Sequence, residues 1–160
     1  MNKYQTIQGL ERKLKENSGA MVTWTNGCFD LLHVNHIRLF RRAASYGDVL
    51  VVGINSDASI KKLKGINRPI FCQDDRIEML EAIKYIDYVV MFNEMSPIEL
   101  IARLRPDIYV KGGDYTLETI NQDERRLVEG YGGKIMLPKI PTNISTSKII
   151  EKLKNGHGHR

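Results

Sequence analysis

Thr25-Asn26-Gly27-Cys28-Phe29-Asp30-Leu31-Leu32-His33-Val34-Asn35-His36 lies between the apolar run Met21-Val22-Thr23-Trp24 and the segment Ile37 to Tyr46, whose apolar residues recur at helical spacing. The run before it reads as a buried strand, so the chain passes from strand through a glycine turn straight into a helix. At a helix start the first backbone N–H groups have no intrahelical acceptor and the macrodipole adds partial positive charge, which favours an anion. His33 and His36, three residues apart, share one face of that first turn. The stretch is expected to hold phosphate.

On the N-terminal side, Thr6 to Glu16 places Ile7, Leu10 and Leu14 at helical spacing and stops near Asn17-Ser18-Gly19, an amphipathic lead-in helix expected on the sheet edge. On the C-terminal side, Asp48 to Ile54 is a β-branched run of the kind buried on both faces of a parallel sheet. It ends in Asn55-Ser56-Asp57, a capping cluster for the next helix. Ser59 to Asn67 is basic and glycine-punctuated and is closed by Arg68-Pro69, which reads as a mobile loop. A helix is expected from Asp74 to Tyr85 and a strand from Asp87 to Phe92. Ser96-Pro97-Ile98-Glu99 has the form of a capping box with proline at the first helical position. That helix ends before Pro106, and Asp107 to Val110 follows as a strand running into Lys111-Gly112-Gly113-Asp114-Tyr115. Thr119 to Tyr131 reads as helix stopped by Gly132-Gly133, Lys134 to Leu137 as strand, and Ser145 to Leu153 as the last helix.

Uninterrupted apolar strands alternating with helices predict an α/β fold: one Rossmann-like open parallel sheet of about five strands with helices on both faces. The 160 residues are expected to form a single domain, with its core at about 21–153 and a frayed tail at 154–160. In such sheets ligands sit outside the carboxyl ends of the strands. Asn26 to Asp30, Asn55 to Asp57, and Lys111 to Asp114 each follow a strand, so all three polar clusters are expected on one edge.

Composition narrows the partners. Lys and Arg exceed Asp and Glu by 24 to 19, a formal charge of +5 that suits an anionic small molecule as well as nucleic acid. Cys28 and Cys72 have no CxxC or zinc-ribbon spacing, which argues against a disulfide framework or structural zinc. The N-terminus lacks the apolar core of a signal peptide and no run approaches the ~18 apolar residues of a membrane span, so a reduced, cytoplasmic protein without a membrane partner is expected.

Neither a P-loop nor a dinucleotide fingerprint is present; Gly130-Tyr131-Gly132-Gly133 follows a helix instead of a strand and reads as a helix stop. His33 and His36 have a structural alternative as capping residues, and a metal alternative with Cys28 or Asp30 lacks a third ligand at recognisable spacing. Lys111 to Asp114 is either a turn or a ligand-facing loop, with Lys111 meeting phosphate and Asp114 accepting from a hydroxyl or holding a hydrated metal. The basic run from Lys61 to Arg68 is either a solvated face or a phosphate clamp. Ser145-Thr146-Ser147 is an N-cap cluster and, for the same reason, a second helix start able to bind phosphate.

Together, Gly27-Cys28-Phe29-Asp30, Leu32-His33-Val34-Asn35-His36 and Ile144-Ser145-Thr146-Ser147 resemble the two ordered motifs of the cytidylyltransferase-like nucleotidyltransferases. Arg68-Pro69-Ile70, the helix holding Arg76, and Val110 to Tyr115 are most similar to the heptose 1-phosphate adenylyltransferases of that superfamily, in the stand-alone form without a sugar-kinase domain. The resemblance runs from about Thr23 to Leu153. It implies AMP transfer from ATP to D-glycero-β-D-manno-heptose 1-phosphate, giving ADP-heptose and pyrophosphate, a precursor of lipopolysaccharide or capsule. Mg²⁺ would be bound mainly through the phosphates, with no protein metal ligand assigned. A homodimer is implied, and nucleic acid is not the expected partner.

On that resemblance His33, His36 and Lys61 are the catalytic residues, with Lys61 closing over the phosphates from its loop. Asn26, Gly27, Cys28, Phe29, Lys111, Ser145 and Thr146, with the two histidines, would bind nucleotide. Asp30, Asn55, Asp57, Arg68, Gly112 and Asp114 would bind substrate. The alternatives are a polyol-phosphate (glycerol-3-phosphate) cytidylyltransferase, an FMN adenylyltransferase, or a non-catalytic nucleotide- or nucleic-acid-binding module. The family pattern is HxGH, and Asn35 stands in place of its glycine; a Cβ and amide there would narrow or re-aim the surface beside the nucleotide. Pro141-Thr142-Asn143 lacks the arginine that precedes the second motif in cytidylyltransferases, which disfavours a glycerol-phosphate enzyme.

Overall fold

A computed structural model of the chain describes residues 2–140 and 144–155. The elements follow in the order β1 (Tyr4–Gln5), α1 (Ile7–Glu16), β2 (Val22–Gly27), α2 (Val34–Ala44), β3 (Val49–Asn55), α3 (Asp57–Lys64) and α4 (Gln73–Glu81). The second half adds β4 (Tyr88–Phe92), α5 (Ile98–Leu104), β5 (Ile108–Val110), α6 (Gln122–Gly130), β6 (Lys134–Met136) and α7 (Thr146–Asn155). All described pairings are parallel, and the sheet order is β1-β4-β3-β2-β5-β6. From β2 the chain steps outward through β3 and β4, then returns to the other side of β2 with β5 and β6. The order therefore reverses at β2, and a crevice opens where its carboxyl end meets that of β5.

Period-two alternation divides the strand residues between two cores. Leu50, Val52, Ile54, Val89, Ile108 and Val110 pack on one face with Leu39, Phe40 and Ala43 of α2 and Ile77 and Leu80 of α4. Val51, Tyr88, Val90, Phe92 and Tyr109 pack on the other with Leu10 of α1, Leu100 and Ile101 of α5, and Val128 of α6. Trp24, fully buried in the second core, lies so close to Gly53 of the paired strand that a Cβ there would sit 2.4 Å from its ring. A side chain at position 53 would push the indole out of its place.

The sheet has six strands where about five are expected. The additional one, β1, is two residues long and pairs with β4 (Tyr4 with Val89, Gln5 with Val90), too short for any period to show. The expected mobile loop at 59–67 is corrected over its first half. Ser56 caps α3 by accepting from Ser59 N–H at 3.3 Å, Ile60 is fully buried, and helix continues to Lys64 before Gly65. Lys61 and Lys62 lie on the solvated side of a helix anchored by one buried apolar residue.

The capping box at 96–99 does not form. Pro97 is itself the N-cap residue of α5, and the Ser96 hydroxyl donates to Glu124 Oε1 at 2.7 Å. Helix α4 stops at Glu81, short of the expected Tyr85, and α6 begins at Gln122, where Asn121 accepts from the N–H groups of Asp123 and Glu124. Helix α7 runs through Asn155, past the expected start of the tail. The readings made at Pro141-Thr142-Asn143 and for residues 156–160 lie outside the described residues. Among the described residues no helix is long and apolar enough to cross a membrane.

Candidate active site

The first wall of the crevice is the start of α2. His33, its N-cap residue, has extended backbone, and its N–H donates to Nδ1 of His36 at 3.3 Å. An accepting Nδ1 places the neutral imidazole's proton on Nε2, leaving Nε2–H as the donor for the cleft that the ring lines. The two imidazoles stack with centroids 3.9 Å apart, and Phe29 meets His36 edge-on at 5.4 Å. Burial holds the His36 pKa down to about 4, with the charges of His33 and Lys64 adding to it. Burial lowers that of His33 too. Near neutral pH His36 is thus a neutral donor fixed by its own helix.

Asn35, where the resemblance has glycine, is buried and turned away from open solvent. Its Nδ2 donates to the Ile144 carbonyl at 3.0 Å, and its Oδ1 accepts from Arg38 Nη1 at 2.9 Å. The amide therefore joins α2 to the residue just ahead of Ser145. A second tie runs from the Thr146 hydroxyl to the Leu31 carbonyl at 3.3 Å. Ser145 caps α7 by accepting from Lys148 N–H at 3.2 Å. Two helix starts are in this way fastened side by side.

Behind them, the strand ends are braced by Arg76 of α4, which is fully buried. It donates to the carbonyls of Cys28 (2.7 Å), Asn55 (2.9 Å) and Phe71 (3.1 Å) and to the Asp57 carboxylate (2.7 Å). Asp57, expected to bind substrate, is thus engaged by Arg76. Asn55 lines the cleft, but its amide donates to Ser59 Oγ and the Glu94 carbonyl. Asp30 is likewise occupied: Oδ2 accepts from Arg68 Nε at 2.6 Å, and Oδ1 from the N–H groups of Ile70 and Phe71 at 2.8 and 3.0 Å. Its role in the fold is to pin the segment after Arg68 and to aim the guanidinium. Arg68 Nη2 is buried with no partner among the described residues, in the wall of the cleft. Such an unpaired donor is costly unless a ligand meets it.

The floor is set by β5. Lys111 donates to Asn26 Oδ1 at 3.0 Å, and its ammonium stands 4.0 Å from Glu124 Oε2. Glu124, nearly fully buried, also accepts from the hydroxyls of Ser96 and Tyr109. Burial lowers the Lys111 pKa, and Glu124 acts against that. Burial also raises the Tyr109 pKa, and the neighbouring Glu124 carboxylate raises it further, so the phenol stays a donor. Sequence reading missed Glu124 because nothing local links it to Lys111; the only trace is a carboxylate in the first turn of a helix. Next to Lys111, Gly112 packs so tightly on α2 that a Cβ would lie 2.6 Å from a Leu39 methyl.

Two connected hollows, of about 450 and about 320 Å³, share His36, Leu39, Lys64, Gly112, Tyr115 and Thr146 as walls. The larger adds His33, Asn35, Asp114 and Ser145; the smaller adds Asn26 to Asp30, Asn55, Arg68 and Lys111. Of the expected site residues, Asp57 and Lys61 do not line it. Lys61 points from the exposed face of α3, and Lys64, one turn on, lines both hollows instead. The arrangement offers helix-start N–H groups, neutral imidazole donors and the cations Lys64, Lys111 and Arg68. Cys28 Sγ has Asn55 Oδ1 at 3.9 Å, and Lys111 lines the same hollow close enough to interact with it electrostatically. Such a set of donors and cations is chemically able to hold a polyphosphate. Among the described residues no three His, Cys, Asp or Glu side chains are grouped to hold a metal.

The family described as Cytidylyltransferase-like matches residues 24–152. "Bifunctional protein HldE" of Syntrophotalea carbinolica (strain DSM 2380 / NBRC 103641 / GraBd1) is 50% identical over 141 residues, which is 88% of this chain and 28% of that protein. The chain thus spans less than a third of the length of that relative. The crystal structure of the lipopolysaccharide core biosynthesis protein from Thermoplasma volcanium GSS1 superposes with a TM-score of 0.62 at 25% identity, covering 77% of this chain and 98% of that one. Pantoate-beta-alanine ligase from Francisella tularensis shares the fold, with a TM-score of 0.63 at 13% identity over 96% of this chain and 77% of the other.

Proposed function

Because the chain belongs to the cytidylyltransferase-like family, we propose that its cleft transfers AMP from ATP to a sugar 1-phosphate, D-glycero-β-D-manno-heptose 1-phosphate, releasing pyrophosphate and forming ADP-heptose. The observation that supports it best is the fastening of two helix starts, those of α2 and α7, along one cleft that also holds His36 Nε2–H. The sugar phosphate oxygen attacks the α-phosphorus while pyrophosphate leaves in line, and negative charge moves onto the leaving group. Such a transfer asks the protein for positioning and for donors aimed where charge develops.

On this reading the N–H groups of the α7 start, with Ser145 and Thr146, receive the β and γ phosphates. His33 and His36 donate to the bridging and α oxygens. Lys64 takes the clamp role assigned to Lys61 from sequence, and Lys111, held by Asn26 and Glu124, offers its charge from the strand end. Arg68 Nη2 meets the incoming sugar phosphate. Mg²⁺, arriving on the phosphates, would neutralise charge on the leaving pyrophosphate. The donor set fits this delivery, since Asp30 is engaged by Arg68 and backbone while Asp114 is exposed at the cleft to meet a hydrated ion. The reading includes a homodimer working in the cytoplasm.

Pyrophosphate release is the direct test, with heptose 1-phosphate, glycerol 3-phosphate and FMN each offered with ATP and with CTP. Turnover is expected with ATP and the heptose phosphate. Absence of turnover with every pair would overturn the reading, and a preference for CTP with a polyol phosphate would reassign the substrate.

A further inference from the structure

Farther along α2 from the cleft, sharing only Ile140 with the larger cleft hollow, lies a third hollow of about 380 Å³ walled by Arg38, Arg41, Arg42, Ser45, Lys139 and Ile140. Four of its six lining residues are cations and none is a carboxylate. Arg41, Arg42 and Lys139 form no ion pair among the described residues, and one donor of Arg38 is used, by Asn35. Arginines in a last helical turn also complement the helix dipole, which accounts for Arg41 and Arg42. That reason does not reach Arg38, one turn earlier, or Lys139, which comes from the segment after β6. Cations from two distant parts of the chain converge on one concavity, against their mutual repulsion.

We propose that this hollow is a second anion site, adjoining the cleft but lined by a different set of charged side chains, for a small molecule or headgroup carrying clustered phosphates. Its volume is in the ~300–1,000 Å³ range of small-ligand pockets. The planar guanidinium forks of three arginines match phosphate oxygens two at a time, and Lys139 adds a point charge from the opposite wall. The Ser45 hydroxyl donates to the Arg42 carbonyl at 2.7 Å, so its proton is engaged and recognition of an anion here falls to the four cations. Binding here is expected to weaken steeply with salt, because Arg41, Arg42 and Lys139 are exposed.

The test is an NMR titration of the ¹⁵N-labelled chain with inorganic tripolyphosphate, observing arginine Nε–H and backbone amide resonances. Two separate groups should move: Arg41, Arg42, Ser45 and Lys139 at the hollow, and His36 and Ser147 at the cleft. Arg41→Glu with Arg42→Glu should weaken the first response by at least about tenfold, since each lost charge-assisted bond is among the strong ones, and leave the second unchanged. Lys139→Glu, on a different segment, should act in the same direction. Co-sedimentation with phosphatidic acid vesicles that the double variant abolishes would identify a lipid headgroup as the source; tripolyphosphate binding without sedimentation would identify a free molecule. Shifts confined to the cleft group, or an affinity at the hollow indifferent to the charge reversals, would overturn the proposal. The readout does not depend on turnover, so it stands or falls apart from the proposed reaction.

Discussion

Replacing Asn35 probes the joint between the two helix starts. Asn35→Ala removes the donation to Ile144 O and the acceptor for Arg38. A neutral hydrogen bond of this kind contributes about 1 kcal/mol net. The Arg38 pair contributes about 0.5 kcal/mol, because the half-exposed guanidinium can turn to water. Alanine recovers roughly 0.6 kcal/mol through its helix propensity. Asn35→Ala should therefore lose about 1 kcal/mol, and Asn35→Gly, lacking alanine's preference for helix, about 2 kcal/mol. In urea melts with an m-value near ~2 kcal/mol/M, those losses lower the midpoint by about 0.5 and about 1 M, with the slope unchanged. Alanine as stable as the native chain would refute the bracing role; glycine matching alanine would mean that the helix propensities assumed for this first turn do not apply.

Three further outcomes follow from the buried groups. In a proton NMR titration His36 should stay neutral until about pH 4. The unfolded chain then takes up the proton first between pH 6.5 and 4, so stability falls as pH drops through that window, by at most roughly 3 kcal/mol at about 1.4 kcal/mol per pKa unit; a His36→Gln variant that kept the same acid slope would remove His36 as its cause. Glu124→Ala strips the acceptor from Ser96, Tyr109 and Lys111 together and should lose about 3 kcal/mol by denaturant unfolding, against which a loss below about 1 kcal/mol would count. Arg76→Met leaves three carbonyls and Asp57 without their donor and should lose about 3 kcal/mol or more; native-like stability would show that the strand ends do not need the brace.

What could be read from sequence was whatever repeats within an element. The strand runs read at 48–54 and 87–92, the helical pattern at 37–46 and the three polar clusters after the strands all announce themselves through spacing, and they match β3, β4, α2 and the sheet edge on which the clusters meet. Pairings across the chain were hidden. Asp30 and Asp57 are substrate residues on the resemblance, yet each meets an arginine many residues away. Lys61 is placed over the phosphates by the resemblance, on a segment that reads as loop; one buried apolar residue, Ile60, is too faint a period to declare the helix α3, from which Lys64 and not Lys61 lines the hollows. Asn35 drew attention by its identity alone, and only the fold shows that its amide reaches across 109 positions to Ile144.

The sheet's two borders limit how copies of the chain can associate. One border, β6, is three residues long, and the other, β1, is two. The N–H groups of Lys3 and Tyr4 are also taken by Glu81 Oε1, both at 2.8 Å. Strands this short and partly sealed offer a neighbouring chain almost no backbone to pair with. If two copies assemble, the sheets will not fuse end to end into a continuous twelve-strand layer. Recognition between copies would have to come from helix and loop faces, and edge-to-edge aggregation, the common hazard of open sheets, is disfavoured by short strands at both borders.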